Sequence, residues 1–277
     1  MRHIKFFALM LVVALFAGCN KTEELDLTSD ITKRFDKEFA LQLEKRGYIP
    51  DAKKITWADV KDIKKLNVMN PLPYELSLTG YYSQFYGKLT SLAGIEYLSA
   101  LDTLYCYYNK LSSLDLSKNT KLTCLGCGCN QLTSLNVSKN TELTFFDCQY
   151  NQLTNLNLSH TNALQWFRCE FNQLTALDVS KCPILEWMNC GSNQLSTLNI
   201  SNSRLLARLF CSYNQLTTLD ISNNRMLGAL SCNYNPGNGT TFPITAWFDN
   251  NSIPADFTAK GWDFNGSTIS IDYIKGN

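Results

Sequence analysis

Histidine is almost missing from this sequence. His3 and His160 are the only two among 277 residues, and His3 lies in an apolar N-terminal leader. Every Ser-His or Cys-His nucleophile arrangement would have to be built around His160 alone, in a turn slot where sister segments carry Lys or Asn. An excess of charge is missing too. The 25 basic side chains face 24 acidic ones, which leaves no electrostatic footprint for nucleic acid or an anionic membrane surface. No Walker loop, HExxH or paired-carboxylate motif occurs. Apolar runs are confined to Phe6–Ala17, twelve residues, too few to cross a bilayer core of about 30 Å as a helix. These gaps leave little room for catalysis and direct attention to binding, with no cofactor and no metal expected.

That apolar run suits a signal-peptide core, since Arg2 and Lys5 precede it and small residues follow. The ending Leu15-Phe16-Ala17-Gly18-Cys19 resembles a bacterial lipobox, departing from it at Phe16. The resemblance implies a signal peptide over 1–18, lipidation at Cys19, and a membrane attachment made only through that lipid. A plain secretory signal is the alternative. The polar run Asn20-Lys21-Thr22-Glu23-Glu24 in a tether over 19–29 resembles surface-export tethers of Gram-negative lipoproteins, implying an outer-membrane, surface-exposed location.

What is present in abundance is a repeat. In 21-residue lines from Leu101, LDTLYCYYNKLSSLDLSKNTK is followed by LTCLGCGCNQLTSLNVSKNTE, LTFFDCQYNQLTNLNLSHTNA, LQWFRCEFNQLTALDVSKCPI, LEWMNCGSNQLSTLNISNSRL and LARLFCSYNQLTTLDISNNRM. A seventh line, LGALSCNYNPGN, breaks at Pro236. The alternation in LxC and again in LxL has the period of a short half-buried strand. Each coil should therefore carry two short strands, and stacked coils should form two parallel sheets around a core that no single coil can bury.

The consensus LxxLxCxxNxLxxLxLSxNxx resembles the leucine-rich repeat family, and closely its 21-residue bacterial subclass, called IRREKO-type. The resemblance covers 89–238 and implies a mainly β, curved solenoid of about seven coils. A small helical N-terminal cap is expected over 30–88 and a β-containing C-terminal cap over 239–277.

The eleven cysteines read largely as packing. Cys106, Cys127, Cys148, Cys169, Cys190, Cys211 and Cys232 form one column, each two residues after an inward apolar residue. Free cysteine packs as a small hydrophobe. Coil spacing near 4.8 Å also suits a disulfide poorly, because its Cβ atoms lie about 3.8 Å apart. A ladder of disulfides or metals is the competing reading, although seven rungs cannot all pair. Cys124 and Cys129, in TCLGCGC, stand roughly 15 Å apart on an extended chain, and with no histidine nearby the spacing makes a poor zinc site. Cys182 falls in a turn slot otherwise filled by Asn, Thr or Ser. A substitution at Cys148 should be costly, whereas the outward Gln149 should tolerate one.

A second column, Asn109, Asn130, Asn151, Asn172, Asn193, Asn214 and Asn235, sits where the chain leaves each strand. Its amides can bond the backbone of adjacent coils, as the asparagine ladder of the resembled family does.

In the caps, Ile31, Phe35, Phe39 and Leu43 predict an amphipathic helix ending near Gly47. Thr56-Trp57-Ala58-Asp59 predicts a capping box opening a second helix through about Leu66. TISIDYI, from Thr268, alternates like a strand, with Trp247, Phe248, Phe257, Trp262 and Phe264 supplying bulk.

Binding residues come from the outward slots. Phe145, Trp166 and Trp187 share one such slot on successive coils, on the face that is concave in the resembled family. Tyr105, Asp147, Arg168, Glu170, Asn189 and Phe210 lie beside them. Tyr108, Tyr150, Phe171, Tyr213 and Tyr234 end the strands. Aromatics mixed with Arg and Asp have the composition of an interface hot spot, so a protein partner is expected. A glycan stacked on the tryptophans is the alternative. The rings could also merely pack on one another. Asp115, Asp178 and Asp220 recur at one slot that Asn fills elsewhere, which reads as solvated surface.

Overall fold

The computed structural model describes residues 26–70, 87–259, 262–264 and 267–276. The leader, Cys19 and most of the tether lie outside them. In chain order the elements are α1 (Lys37–Lys45), α2 (Trp57–Val60), β1 (Lys65–Asn67), β2 (Thr103–Tyr105), β3 (Cys124–Gly126), β4 (Phe145–Asp147), β5 (Trp166–Arg168) and β6 (Ala176–Asp178). There follow β7 (Trp187–Asn189), β8 (Thr197–Asn199), β9 (Arg208–Phe210), β10 (Leu219–Asp220), β11 (Ala229–Ser231), β12 (Thr241–Ala246), β13 (Trp262–Phe264) and β14 (Ser267–Lys275).

The seven LxC segments, with β1 from the N-terminal cap at their edge, form one eight-stranded parallel sheet in the order β1-β2-β3-β4-β5-β7-β9-β11. Its register runs Leu104↔Leu125↔Phe146↔Phe167↔Met188↔Leu209↔Leu230, so every step is one 21-residue line. That column is buried throughout. Full burial of each such side chain is worth about 1.5–3 kcal/mol, and only a stacked neighbour can provide it.

The cysteine column lies just past the strands. All seven of its members are buried and unbridged, and they continue the ladder, with the Cys106 N–H donating to Gly126 O and that of Cys127 to Asp147 O. Burial pushes these thiols well above their ordinary range, to about 12 for Cys106 and Cys211. They therefore stay as neutral packing groups rather than thiolates.

The asparagine column bonds as expected. Asn130 Nδ2 donates to Cys106 O and Cys127 O at 3.0 Å each, while its Oδ1 accepts from Leu111 N at 3.1 Å. One amide thus ties its own coil to the preceding one and fills backbone groups the turn would leave open. A second ladder lies in the other turn. Asn140 Nδ2 donates to Leu116 O and Asn119 O, Ser203 Oγ to Val179 O and Cys182 O, and Asn224 Nδ2 to Ile200 O and Ser203 O. Cys182 is its degenerate rung, buried beside Thr161 Oγ1 at 3.6 Å. This explains a cysteine the first column left over.

The expected second sheet is only partly formed. β6 pairs with β8, and β10 joins the C-terminal cap in the order β10-β12-β14-β13. The LxL segments of the first three lines form no strand. The LxC face therefore carries a continuous hydrogen-bond ladder and the LxL face a broken one.

Both caps differ from the sequence expectation in detail. Ile31, Phe35, Phe39 and Leu43 are all buried, but Thr32–Arg34 is a 3-10 turn and the α-helix starts only at Lys37. Asp36 causes the break, because its carboxylate accepts from Phe39 N at 3.0 Å as an N-cap. The Phe35 ring then lies against Gly94, whose φ of 101° and absent Cβ both matter, since a Cβ there would sit 2.4 Å from the ring. The second helix does not reach Leu66. The Asp59 carboxylate accepts from Thr56 N at 2.7 Å, yet α2 ends at Val60, and Lys65–Asn67 instead becomes β1, pairing in parallel with β2. Covering the open sheet edge outweighs continuing a short helix. At the other end the expected strand is β14. Phe248 and Phe257 are buried and Trp247 is half-buried against them, while Trp262 and Phe264 are the ends of β13.

Candidate recognition face

Alternation along each LxC strand sends two side chains outward, and the residues just past the strand add two more. The first outward slot carries Phe145, Trp166 and Trp187 in register on β4, β5 and β7, as the sequence expects. The indoles of Trp166 and Trp187 stack at 4.5 Å with planes 10° apart, and Phe210, from the next slot of β9, tilts against Trp187 at 5.5 Å. Trp166 remains 41% exposed. The rings do pack on one another, and they still leave an aromatic face open.

The second and third slots build a polar cluster. Arg168 is its centre: Nε donates to Glu170 Oε1 at 3.0 Å and Nη2 to Gln149 Oε1 at 2.6 Å, with Nη1 3.6 Å from Asp147 Oδ2. Asp147 also accepts from the Tyr107 hydroxyl at 3.1 Å and from the Gln149 backbone N–H. This corrects three expectations. Asp147 and Glu170 are not open to a ligand, being 2% and 4% exposed, and Gln149 is buried within the cluster rather than free to vary. The outward direction was right, but neighbouring coils cover the groups. Burial raises the Asp147 carboxyl to about 6, with the Arg168 guanidinium opposing the shift. Glu170 Oε2 is buried without a hydrogen-bond partner.

TCLGCGC now has its reason. Gly126 and Gly128 are the second and third outward positions of the second coil; the Tyr107 ring lies over Gly126, and Gln149 and Asp147 lie over Gly128. A Cβ on Gly126 would meet the ring at 2.2 Å, and one on Gly128 would meet Gln149 Cγ at 2.9 Å. Cys127 is core. Cys124 is half-buried in the first outward slot, its thiol donating to the Tyr105 hydroxyl at 3.1 Å, and Cys129 is buried. The structure does not bring Tyr105 into the aromatic stripe; it stacks on Tyr107 at 6.0 Å instead. Asn189 Oδ1 accepts its own coil's Gly191 N–H.

The fourth column holds the residues that end the strands. Tyr108, Cys129, Tyr150, Phe171, Ser192, Tyr213 and Tyr234 all have φ of 51–57°, a left-handed conformation unusual for residues other than glycine. The ladder continues through it: Tyr150 N bonds Glu170 O, Phe171 N bonds Gly191 O, Ser192 N bonds Ser212 O and Tyr213 N bonds Asn233 O. Asparagine side chains pin the next residue, so the turn holds whatever side chain it carries. The rings stack in pairs, Tyr150 on Phe171 and Tyr213 on Tyr234, both at 4.2 Å.

Far from this face, Ser159 Oγ and His160 Nδ1 lie 2.8 Å apart on an exposed turn, a contact of sequence neighbours open to water. Asp115, Asp178 and Asp220 each accept the N–H two residues on and remain exposed.

No family model and no curated protein matches the chain. Solved structures do. The functional domain of InlJ from Listeria monocytogenes, a structure that includes a cysteine ladder, superposes with a TM-score of 0.60 at 24% identity, over 91% of this chain. This chain spans 62% of that domain's length. Internalin C2 from the same organism gives 0.62 at 19% identity over 91% of this chain and all of that one. YopM, a leucine-rich effector from Yersinia pestis, gives 0.54 at 22% identity over 68% and 49%. At these identities the likeness concerns the fold.

Proposed function

We propose that this leucine-rich-repeat solenoid is a non-enzymatic recognition protein that binds a protein partner through the face of its eight-stranded sheet. The observation that carries the reading is the Trp166–Trp187 stack, half open to solvent beside the Arg168 cluster. Rigid stacked aromatics next to a fixed guanidinium are the residues that dominate protein interfaces. The glycan reading keeps only Asn189 of its three expected polar partners, because Asp147 and Glu170 are engaged with Arg168. The 21-residue lines further suggest the IRREKO-type subclass. The Cys19 motif suggests an outer-membrane lipoprotein displayed at the surface, held there by its lipid alone.

The test is a binding screen of the mature domain against extracellular proteins and a glycan array, beside a Trp166→Ala, Trp187→Ala double variant. Protein binding lost in the variant supports the reading. Selective glycan binding lost in it would transfer the case to sugar recognition. Binding that survives in full would reduce the stripe to packing.

A further inference from the structure

The left-handed column has two rungs without a ring, and they differ. Cys129, between Tyr108 and Tyr150, is buried, so that gap is closed. Ser192, between Phe171 and Tyr213, is half-exposed, and the third outward slot of its coil is Gly191, with no side chain either. The two rings facing this gap are open, Phe171 at 46% and Tyr213 at 55% exposed. They are two rungs apart on a continuous ladder, so a flat group midway would lie about 4.8 Å from each ring plane. That is inside the distance at which stacking and cation–π attraction operate, up to roughly 6 Å.

The charges around the gap decide what kind of flat group fits. On the coil forming one wall Arg168 pairs with Glu170, and Asp147 of the coil before adds a second carboxylate against that single guanidinium. The opposite wall offers Ser212, with Asn233 on the coil beyond it, and the floor Asn189 and Ser192, all neutral. Arg208 is the nearest other cation in that wall's coil, four residues before Ser212 and so about 13 Å along the strand. A planar cation suits this setting. A guanidinium stacks on aromatic faces and remains flat, whereas an ammonium is a compact, strongly hydrated point charge.

We propose that the vacant rung over Ser192 receives an arginine side chain of the partner, held between Phe171 and Tyr213. This rests on the protein-recognition reading and names one residue type within it. The decisive variant is Ser192→Tyr. Sister rungs hold tyrosine at the same φ, so the variant should fold and melt no lower than the parent while its own ring occupies the slot.

The probe is acetyl-Gly-Arg-Gly-amide, followed by NMR of the Phe171 and Tyr213 rings, with Lys and Tyr counterparts as controls. Saturable ring shifts are expected with the Arg peptide, with a dissociation constant on the order of a millimolar. They should weaken at least tenfold in Ser192→Tyr and in Phe171→Leu, Tyr213→Leu, and severalfold in Glu170→Gln. Shifts that persist in Ser192→Tyr, a Lys peptide equal to Arg, or a Tyr peptide that binds better would each overturn the proposal. Should Ser192→Tyr fail to fold, the Phe171→Leu, Tyr213→Leu pair decides alone. Partner binding that survives Ser192→Tyr but not the double tryptophan variant would sink this subsite and leave the broader reading standing.

Discussion

The Tyr107 hydroxyl donates to the Asp147 carboxylate at 3.1 Å across an entire coil, passing over Gly126, which carries no side chain. One glycine thus lets a residue of one coil close the polar cluster two coils on. Gly126→Ala should push the ring off Asp147 and cost about 1–3 kcal/mol. The effect should be non-additive with Tyr107→Phe, because in Gly126→Ala the hydroxyl has already left its partner. Chemical denaturation of the two single variants and the double variant measures the coupling, and strict additivity would refute the arrangement.

Asp147 makes stability depend on pH in an unusual direction. Its carboxyl is raised to about 6 in the fold, against about 3.9 in an unfolded chain. Between those values the folded state binds more protons, so this group's contribution worsens as pH rises from 4 to 6 and recovers as pH falls through 6. Asp147→Asn lacks the titration. Relative to the parent it should therefore gain on the order of 2 kcal/mol between pH 4 and pH 7. Urea midpoints at both pH values read the difference, and a constant gap would contradict the buried, raised carboxyl.

The register predicts a contrast in tolerance. Cys148→Asp buries a charge among apolar neighbours and should cost several kcal/mol, while Gln152→Asp, at an exposed position, should shift the melting temperature little. Equal effects would mean that the in-out assignment is wrong.

The two ladders should respond differently to serine. Asn151 uses both ends of its amide, donating to Cys127 O and Cys148 O and accepting from Leu132 N. Asn151→Ser leaves buried backbone groups unpaired, at about 1–3 kcal/mol each. Asn140 sits in a slot that Ser203 already fills elsewhere, and its Oδ1 has no partner, so Asn140→Ser should cost clearly less. Thermal melts of the pair check this.

Cys19→Ala should abolish incorporation of labelled palmitate and leave unprocessed or soluble protein. Labelling that persists would remove the lipid anchor from the proposed function.

Much of this fold can be read from the sequence because a 21-residue period repeats the same inward decisions. Leu104, Cys106 and Asn109 have one environment each, copied down the stack. The second ladder stayed hidden because its slot is Asn in only half the lines, at Asn119, Asn140 and Asn224, and Thr161, Cys182 and Ser203 in the others. The asparagines and Ser203 donate to the preceding coil, whereas Thr161 donates to Leu158 O of its own coil. The α1 boundary was missed because Asp36 competes as a cap inside an otherwise helical spacing. For Asp147, Gln149 and Glu170, alternation told direction correctly, but burial depended on Tyr107 and two glycines one or more coils away. The aromatic stripe was legible from one column; the left-handed column was not, since Tyr and Phe do not announce a positive φ.

The C-terminal sheet ends on a strand that runs against the others: β10, β12 and β14 are parallel, and β13 is antiparallel to β14. Parallel coils are interchangeable, so an open rung offers any second molecule the pattern its own next coil would have met. An antiparallel edge alternates close and wide hydrogen-bond pairs, out of step with the even spacing of a parallel rung. The edge that β13 presents therefore differs in hydrogen-bond spacing from the parallel rungs behind it.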